Sequence, residues 1–362
     1  MKVLIVFNHP APYKVRCFNE LAKHVDLTVL FERRKANDRP DIFYSEDQYG
    51  FEAYFLEDGY VGAEGSISRG VKEFIKKHYR EFDHIIMNGY SHYAEIQAIN
   101  FMQKRHIPYI LLINGGIKKE KEWFFIRNLK RRLISGASFY LSPSQASNEY
   151  LEFYGANPDK IFNYPYTNLV DSDFINTATD KNTLRVKHDL PKNRIIFISA
   201  SQFIKRKNNL KLISLFRGRE EILLLVGDGM QRQTYFKYIQ KYKMANVIIT
   251  SFKPKKELFE LYKASNAFIT LSLEDIFGHT TLEALACGIP VISSDKVISS
   301  LEYIKNGENG FIVSLDNDEE IIKAIEAAPK LDTTNINETI KNNTFKQSAS
   351  TIYKILKKIR YE

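Results

Sequence analysis

"SLEDIFGHTTLEALACGIPVISSD", residues 272–295, holds four carboxylates, of which Glu274, Asp275 and Glu283 gather with a histidine around one short helical run. The apolar strand "AFITLS" leads into it and closes at Ser272, Glu274 to His279 form a loop, and a helix is expected from near Thr280. Gly288 supplies a left-handed stop for that helix, and Pro290 lies beyond it. Thr280-Thr281-Leu282-Glu283 fits a capping box, in which a Thr hydroxyl and a Glu carboxylate satisfy orphan backbone amides. Glu283 therefore has two readings, a cap or the acid of a site. Gly278 lets the backbone approach a ligand closely, and free amides at the helix start would face a diphosphate.

The same strand–loop–helix unit recurs through most of the 362 residues. "KVLIVF", "DLTVLFE", "HIIMNG" and "PYILLIN" alternate with helical patterns, then "RIIFISASQF", "EEILLLVGDG", "NVIITS" and "PVISSD" do so again. The strands are apolar without clean alternation, as expected of a parallel sheet covered on both faces. This rhythm predicts an α/β fold of doubly wound parallel sheets. It breaks in the polar stretch between about Thr167 and Asn193. We read domains at 1–188 and 189–344, with a final helix, 345–362, packing back on the first. A cleft between them would be lined by loops at the carboxyl ends of the strands.

Hydrophobic residues at 44% and charged residues at 26% describe a globular chain. Its apolar runs fall short of the ~20 residues of a spanning helix. "MKVLIVFNHP" runs straight into a strand without a cleavage site, and two cysteines, Cys17 and Cys287, give no disulfide framework, so a cytoplasmic setting is expected. The net charge of +9 favours an anionic partner without choosing among nucleic acid, a phosphorylated substrate and an anionic membrane.

Two further loops follow strands. Gly227-Asp228-Gly229 is either a tight strand-to-helix turn or a close approach to a ligand; the dinucleotide pattern GxGxxG is absent, which lowers the dehydrogenase reading. Ile204-Lys205-Arg206-Lys207-Asn208-Asn209 sets three cations at a strand's carboxyl end, either as a solvated run or as a phosphate clamp. The eight histidines are scattered, with no cluster at metal-ligand spacing.

Taken together, Asp275, Ile276-Phe277-Gly278, Glu283 after seven intervening residues, and "ALACGIPVI" resemble the signature of family 4 glycosyltransferases with the GT-B fold. "SASQFIKRKN", "LLLVGDG", "LEYIKNGENGFIV", "NHPAPYKVRCFNEL" and "YLSPSQASNEYLEFYGANPDKIFNYPYT" resemble further segments of the family in its own order, the last two in its bacterial surface-polysaccharide members. The resemblance implies two Rossmann-like domains facing a central cleft, and transfer of a sugar with retention from a nucleotide-sugar donor, expected to be UDP-linked, to a glycan or lipid-linked acceptor. Lys207 with Arg206 would hold the donor diphosphate, Glu283 the ribose hydroxyls, and Asp275 with the backbone of Phe277, Gly278, His279, Thr280 and Thr281 the sugar and phosphates. The base would lie near "SFKPKKE", which contains Phe252, and Gly227 would border the donor. The family's Gly-Arg before the basic loop reads Ser201-Gln202 here, leaving Gln202 beside the donor and more of the diphosphate to Arg206 and Lys207. Ile276, often Gly in the family, would narrow the sugar pocket. No cofactor and no metal are expected.

In the first domain, Asn8, Tyr13 and Lys14 follow the first strand and are candidate acceptor contacts, with solvation the other reading for Lys14 and packing for Tyr13. His92 is either a sugar contact or simply the start of a helix. "KKEKEWFFIRNLKRRL", 118–133, interleaves bases with large apolar side chains. Lys118, Lys119, Trp123, Phe124, Arg127, Lys130, Arg131 and Arg132 would suit an interfacial helix on anionic lipid, the alternative being a surface helix with one face on the core. The enzyme is then expected at the inner face of the plasma membrane. A sugar-nucleotide epimerase or phosphorylase of the same fold is the enzymatic alternative. A non-catalytic nucleic-acid-binding protein is the alternative of another class, but no recognised module or broad basic stripe supports it, and no nucleic-acid partner is expected.

Overall fold

The computed structural model describes residues 1–35, 48–56, 69–118, 122–174 and 180–361, with the backbone of two short strands at 61–62 and 65–66. The chain forms two compact units, 1–168 with 342–362, and 169–341.

In the first unit the strands are β1 (Lys2–Phe7), β2 (Asp26–Phe31), β3 (Glu52–Phe55), β4 (Val61–Gly62), β5 (Gly65–Ser66), β6 (His84–Asn88), β7 (Ile110–Leu112), β8 (Phe139–Ser142) and β9 (Ile161–Asn163). Its main sheet runs β3-β2-β1-β6-β7-β8-β9, and every pairing in it is parallel. β4 and β5 form a separate antiparallel pair. The core gathers Leu4, Met87 and Leu111 from the strands with Ile99, Met102, Leu133 and Tyr154 from the helices. The helix Phe345–Lys358 lies on this unit: His24 stacks on Tyr353 at 5.1 Å, and Tyr361 beyond the helix hydrogen-bonds His84 at 2.9 Å.

In the second unit β10 (Ile196–Ala200), β11 (Ile222–Val226), β12 (Val247–Thr250), β13 (Ala267–Thr270), β14 (Val291–Ser294) and β15 (Gly310–Val313) form a parallel sheet in the order β12-β11-β10-β13-β14-β15. β10, β11 and β13 are buried along their whole length, which is why their sequences lack period-two alternation. Residues 169–188, expected with the first domain, are held in this unit. The buried Arg185 on the helix Lys181–Lys187 donates to the carbonyls of Ala264 at 2.9 Å and Lys192 at 2.6 Å and to Asn266 Oδ1 at 2.7 Å.

Strand order reverses between β1 and β6 in the first sheet and between β10 and β13 in the second. Adjacent crossovers leave the sheet in opposite directions at such a point and open a crevice at the strands' carboxyl ends.

Candidate functional site

At the reversal of the second sheet, the loops leaving β10 and β13 are stitched together. The amide of Leu273 donates to the carbonyl of Arg206 at 2.9 Å, and Arg206 Nη1 donates to the carbonyl of Glu274 at 2.6 Å. Lys207 closes the 3-10 turn Lys205–Lys207 and forms an ion pair with Asp275. Arg206 Nη1 lies 3.8 Å from the other oxygen of Asp275. Lys207 and Asp275 are largely buried, their side chains 13% and 16% exposed, whereas Arg206 at 42% is open. The pair is thus set at the surface of the crevice, where its remaining valences can meet a ligand. Asp275 is the acid brought to the cations; Glu274 contributes its backbone.

Asp275 is placed by backbone as well. Its amide donates to the carbonyl of Lys296 at 2.9 Å, extending β14's neighbourhood by a parallel bridge to Val297. The chain then turns at Gly278 with φ +87°, where a Cβ would stand 2.5 Å from Val297 Cγ1. A glycine is required there by its own fold, before any ligand is considered.

The helix begins at His279, one residue before the expected start, and runs to Ala286. Gly278 is its N-cap, accepting the amide of Thr281 at 3.0 Å through its carbonyl. The capping box expected over Thr280–Glu283 is therefore not formed. Glu283 is drawn into the interior, 7% exposed, and accepts a hydrogen bond at 3.1 Å from the hydroxyl of Tyr262 on the helix Lys255–Ala264. Burial, then the neighbouring carboxylate, raises the Tyr262 phenol well above its ordinary range, so it stays a donor. The side chain of Thr281 turns away from the crevice to Ser300 Oγ at 3.0 Å, leaving it only a backbone contribution. Phe277 is buried and packs edge-on against His279 at 5.1 Å; Thr280 is half-buried.

Gly227 answers to packing. With φ +147°, a Cβ there would lie 1.9 Å from the carbonyl oxygen of Ser201, so the turn after β11 is closed by the loop after β10. Gln202 in that loop is exposed, as is Phe252 at 70% on the loop after β12. An unpacked phenyl ring beside the carboxyl end of β12 can stack on a flat partner.

In the first unit Lys14 is neither solvated nor loose. It is buried under the rings of Tyr166 at 4.4 Å and Phe7 at 5.3 Å, and donates to Asn114 Oδ1 at 2.7 Å and Asn88 Oδ1 at 3.4 Å. Burial pulls its pKa down to about 8. Asn8 accepts from Arg33 Nε at 2.7 Å, and Tyr13 lies 6.5 Å from the Tyr166 ring. His92 is the N-cap of the helix Tyr93–Lys104. Glu95 Oε2 accepts the amides of Ser91 at 2.7 Å and His92 at 3.0 Å, while its other oxygen lies 3.6 Å from His92 Nδ1. Glu32, His92 and Glu95 each bring one ligand atom within 4.8 Å of the others. Linear spacing could not reveal that cluster, because its members follow β2 and β6, which lie apart in the chain. Burial lowers the His92 pKa, but Glu95 and then Glu32 outweigh it and leave the ring raised.

Of the segment expected to face lipid, Lys119 lies outside the described residues. Lys130 does not face outward; it is paired with Glu122, whose second oxygen accepts from Tyr154 at 2.6 Å. Lys118, Trp123, Phe124, Arg127, Arg131 and Arg132 are exposed.

The family model of "Glycosyl transferases group 1" matches residues 180–347. A probable sucrose-phosphate synthase of Thermosipho melanesiensis is 28% identical over 323 residues, covering 80% of this chain and 71% of that protein. Among solved structures, the sucrose-phosphate synthase from Thermosynechococcus elongatus superposes with a TM-score of 0.78 at 18% identity, covering 99% of this chain and 98% of the other. Anabaena HepE in complex with UDP-glucose gives 0.68 at 18% identity, covering 98% and 95%. With its two parallel-sheet units and a group 1 region that contains Arg206, Lys207, Asp275 and Glu283, this chain is a glycosyltransferase of the hexosyltransferase type with the GT-B fold.

Proposed function

We propose that the enzyme moves a sugar from a UDP-linked donor to a glycan or lipid-linked acceptor with retention of configuration, as a family 4 enzyme of surface or capsular polysaccharide synthesis. The observation that carries this reading is the Arg206–Lys207–Asp275 cluster at the reversal of the second sheet, followed by a helix that carries the buried Glu283 one turn in from its start. UDP-glucose in the HepE structure supports the choice of base, and the resemblance of "NHPAPYKVRCFNEL" to surface-polysaccharide enzymes supports the acceptor class.

In the transfer the bond between the anomeric carbon and the diphosphate oxygen breaks, and its electron pair stays on the diphosphate. The acceptor oxygen bonds to the anomeric carbon, and its proton ends on the departing diphosphate. Negative charge therefore grows on the departing diphosphate while the sugar takes on oxocarbenium character. Lys207 and Arg206 meet that charge, and the amides at the start of the His279–Ala286 helix add to them. Fixed cations lower the barrier because they need no reorganisation as the bond breaks. Asp275 accepts from a sugar hydroxyl, Glu283 from the ribose hydroxyls, and Phe252 stacks beside the base. The groups named hold the leaving charge without assistance from a metal. Asn8, Tyr13 and His92 border the acceptor side, and the protein works at the inner face of the plasma membrane.

A thermal-shift screen over nucleotides and nucleotide-sugars tests the reading. A ligand at 100 times its Kd stabilises by about 2.7 kcal/mol. UDP-sugars are expected to raise the melting temperature most, and Lys207→Met to abolish the shift. No shift with any nucleotide would overturn the assignment. Donor turnover that needs an added acceptor separates transfer from epimerisation.

A further inference from the structure

The helix Phe124–Ser135 turns most of its apolar surface away from the core. Leu133 and Ile134 are its buried residues. Trp123 and Phe125 are each 79% exposed, Phe124 68%, Ile126 50% and Leu129 41%. Single exposed apolar residues are ordinary, but five on one helix end form a patch that water disfavours.

The surrounding charges divide into two sets. Beneath the helix, Glu122 is held by Lys130 and by the Tyr154 hydroxyl at 2.6 Å, which pins the first turns to the unit's core. Around the apolar tip stand cations. Lys118 and Arg127 each lie 4.5 Å from the centre of the Phe153 ring, so their stems are fixed while they remain exposed. Arg131 is exposed, and Arg132 is too while donating to Asn100 at 2.7 Å. The acid in the described part of this segment is thus engaged inward and the cations stay outward.

We propose that Trp123, Phe124, Phe125, Ile126 and Leu129 enter the interfacial layer of an anionic bilayer while Lys118, Arg127 and Arg131 meet lipid phosphates at its edge. An apolar tip ringed by cations matches the depth profile of such a surface, acyl chains inside and phosphates above. A second copy of this chain fits less well, because a symmetric contact would set the same cations against each other. The proposal stands on this helix alone and goes beyond the transfer chemistry; either can fail with the other intact.

The chain contains one tryptophan, Trp123, so its own fluorescence reports the patch. The full chain is titrated with phosphatidylglycerol–phosphatidylcholine vesicles and with phosphatidylcholine vesicles alone. The expected result is a blue shift on the anionic vesicles, with quenching by brominated acyl chains, and little response to the zwitterionic ones. The double variant Phe124→Ser/Phe125→Ser keeps the reporter and should weaken binding by at least roughly tenfold with an unchanged melting temperature. Unchanged emission on anionic vesicles would overturn the proposal. So would an equal response to both vesicle types, or a blue shift that follows protein concentration without lipid, which would assign the patch to a second copy.

Discussion

Replacing Glu283 by Gln separates what this acid does for the fold from what it does for the donor. The carboxylate is 7% exposed and takes the Tyr262 hydroxyl at 3.1 Å. Gln keeps the size and a carbonyl acceptor, so Tyr262 retains a partner. Exchanging a charged acceptor for a neutral one loses about 1 kcal/mol, and relief from burying a charge offsets much of that. Stability should move by no more than about 1 kcal/mol in urea unfolding. The helix start is indifferent to the change, since Gly278 caps it. Donor binding, under the proposed ribose role, is not. A carboxylate holding two ribose hydroxyls makes two charge-assisted hydrogen bonds, each worth about 1.5–3 kcal/mol. The amide keeps one, weakened, and opposes the other with an N–H. A net loss of about 3–4 kcal/mol corresponds to roughly 10²–10³ in kcat/KM for the nucleotide-sugar.

Steady-state kinetics with saturating acceptor reads that loss, and the unfolding curve confirms that the same preparation is folded. Glu283→Ala is the control: it leaves the buried Tyr262 hydroxyl without this acceptor, at a cost of about 1–3 kcal/mol. If Glu283→Gln turned over donor within about twofold of wild type, the ribose role would be refuted. Glu283 would then be a buried anchor for Tyr262, and the donor would have to be held by Arg206, Lys207 and Asp275.

Two further outcomes follow from local geometry. Gly278→Ala places a Cβ 2.5 Å from Val297 Cγ1 at a φ of +87°, so left-handed strain and overpacking should together cost about 2–4 kcal/mol in urea unfolding, and an unchanged midpoint would refute the packing. Lys14, with its pKa pulled from 10.5 to about 8 by burial, binds fewer protons folded than unfolded between those values; its own contribution to stability should therefore rise from pH 8 toward pH 10.5, by at most about 3 kcal/mol, read as the change with pH in the stability difference between wild type and Lys14→Met, and a difference that stayed constant with pH would refute it.

Parallel sheets and strand–loop–helix units were legible because buried strands such as "ILLLV" are apolar throughout, and because glycines punctuate the loops that follow them. The acid at 275 and the cations at 206 and 207 were legible as neighbours through resemblance, and the ion pair joins them. What was not legible depends on partners far along the chain. Tyr262 lies on the preceding helix, so nothing in "TTLEALA" tells that Glu283 is drawn inward to it. The capping-box pattern was present but lost to Gly278, whose left-handed backbone starts the helix a residue early. Lys14, by sequence a candidate acceptor contact or else a solvated cation, is buried because its cover, Tyr166 and Asn114, is supplied by segments at least a hundred residues away. Lys130, expected at the lipid surface, is likewise turned by Glu122 and Tyr154.

The two sheet reversals show how neighbours decide what a lysine can do. Lys14 stands beside the reversal of the first sheet with neutral partners, two Asn carbonyls and two rings, so burial wins and its pKa falls. Lys207 stands at the reversal of the second sheet against a carboxylate and forms an ion pair with it. With Arg206 the cluster of two cations and one acid carries a net positive charge, enough to attract a diphosphate while Asp275 keeps Lys207 aimed. A diphosphate arriving there would be repelled by Asp275 unless that acid turned to another donor, and a sugar hydroxyl is such a donor. Asp275 would then exchange part of its hold on Lys207 for the sugar at the moment when Lys207 exchanges part of its hold on Asp275 for phosphate. One ion pair opening in this way would couple recognition of the sugar to neutralisation of its leaving group.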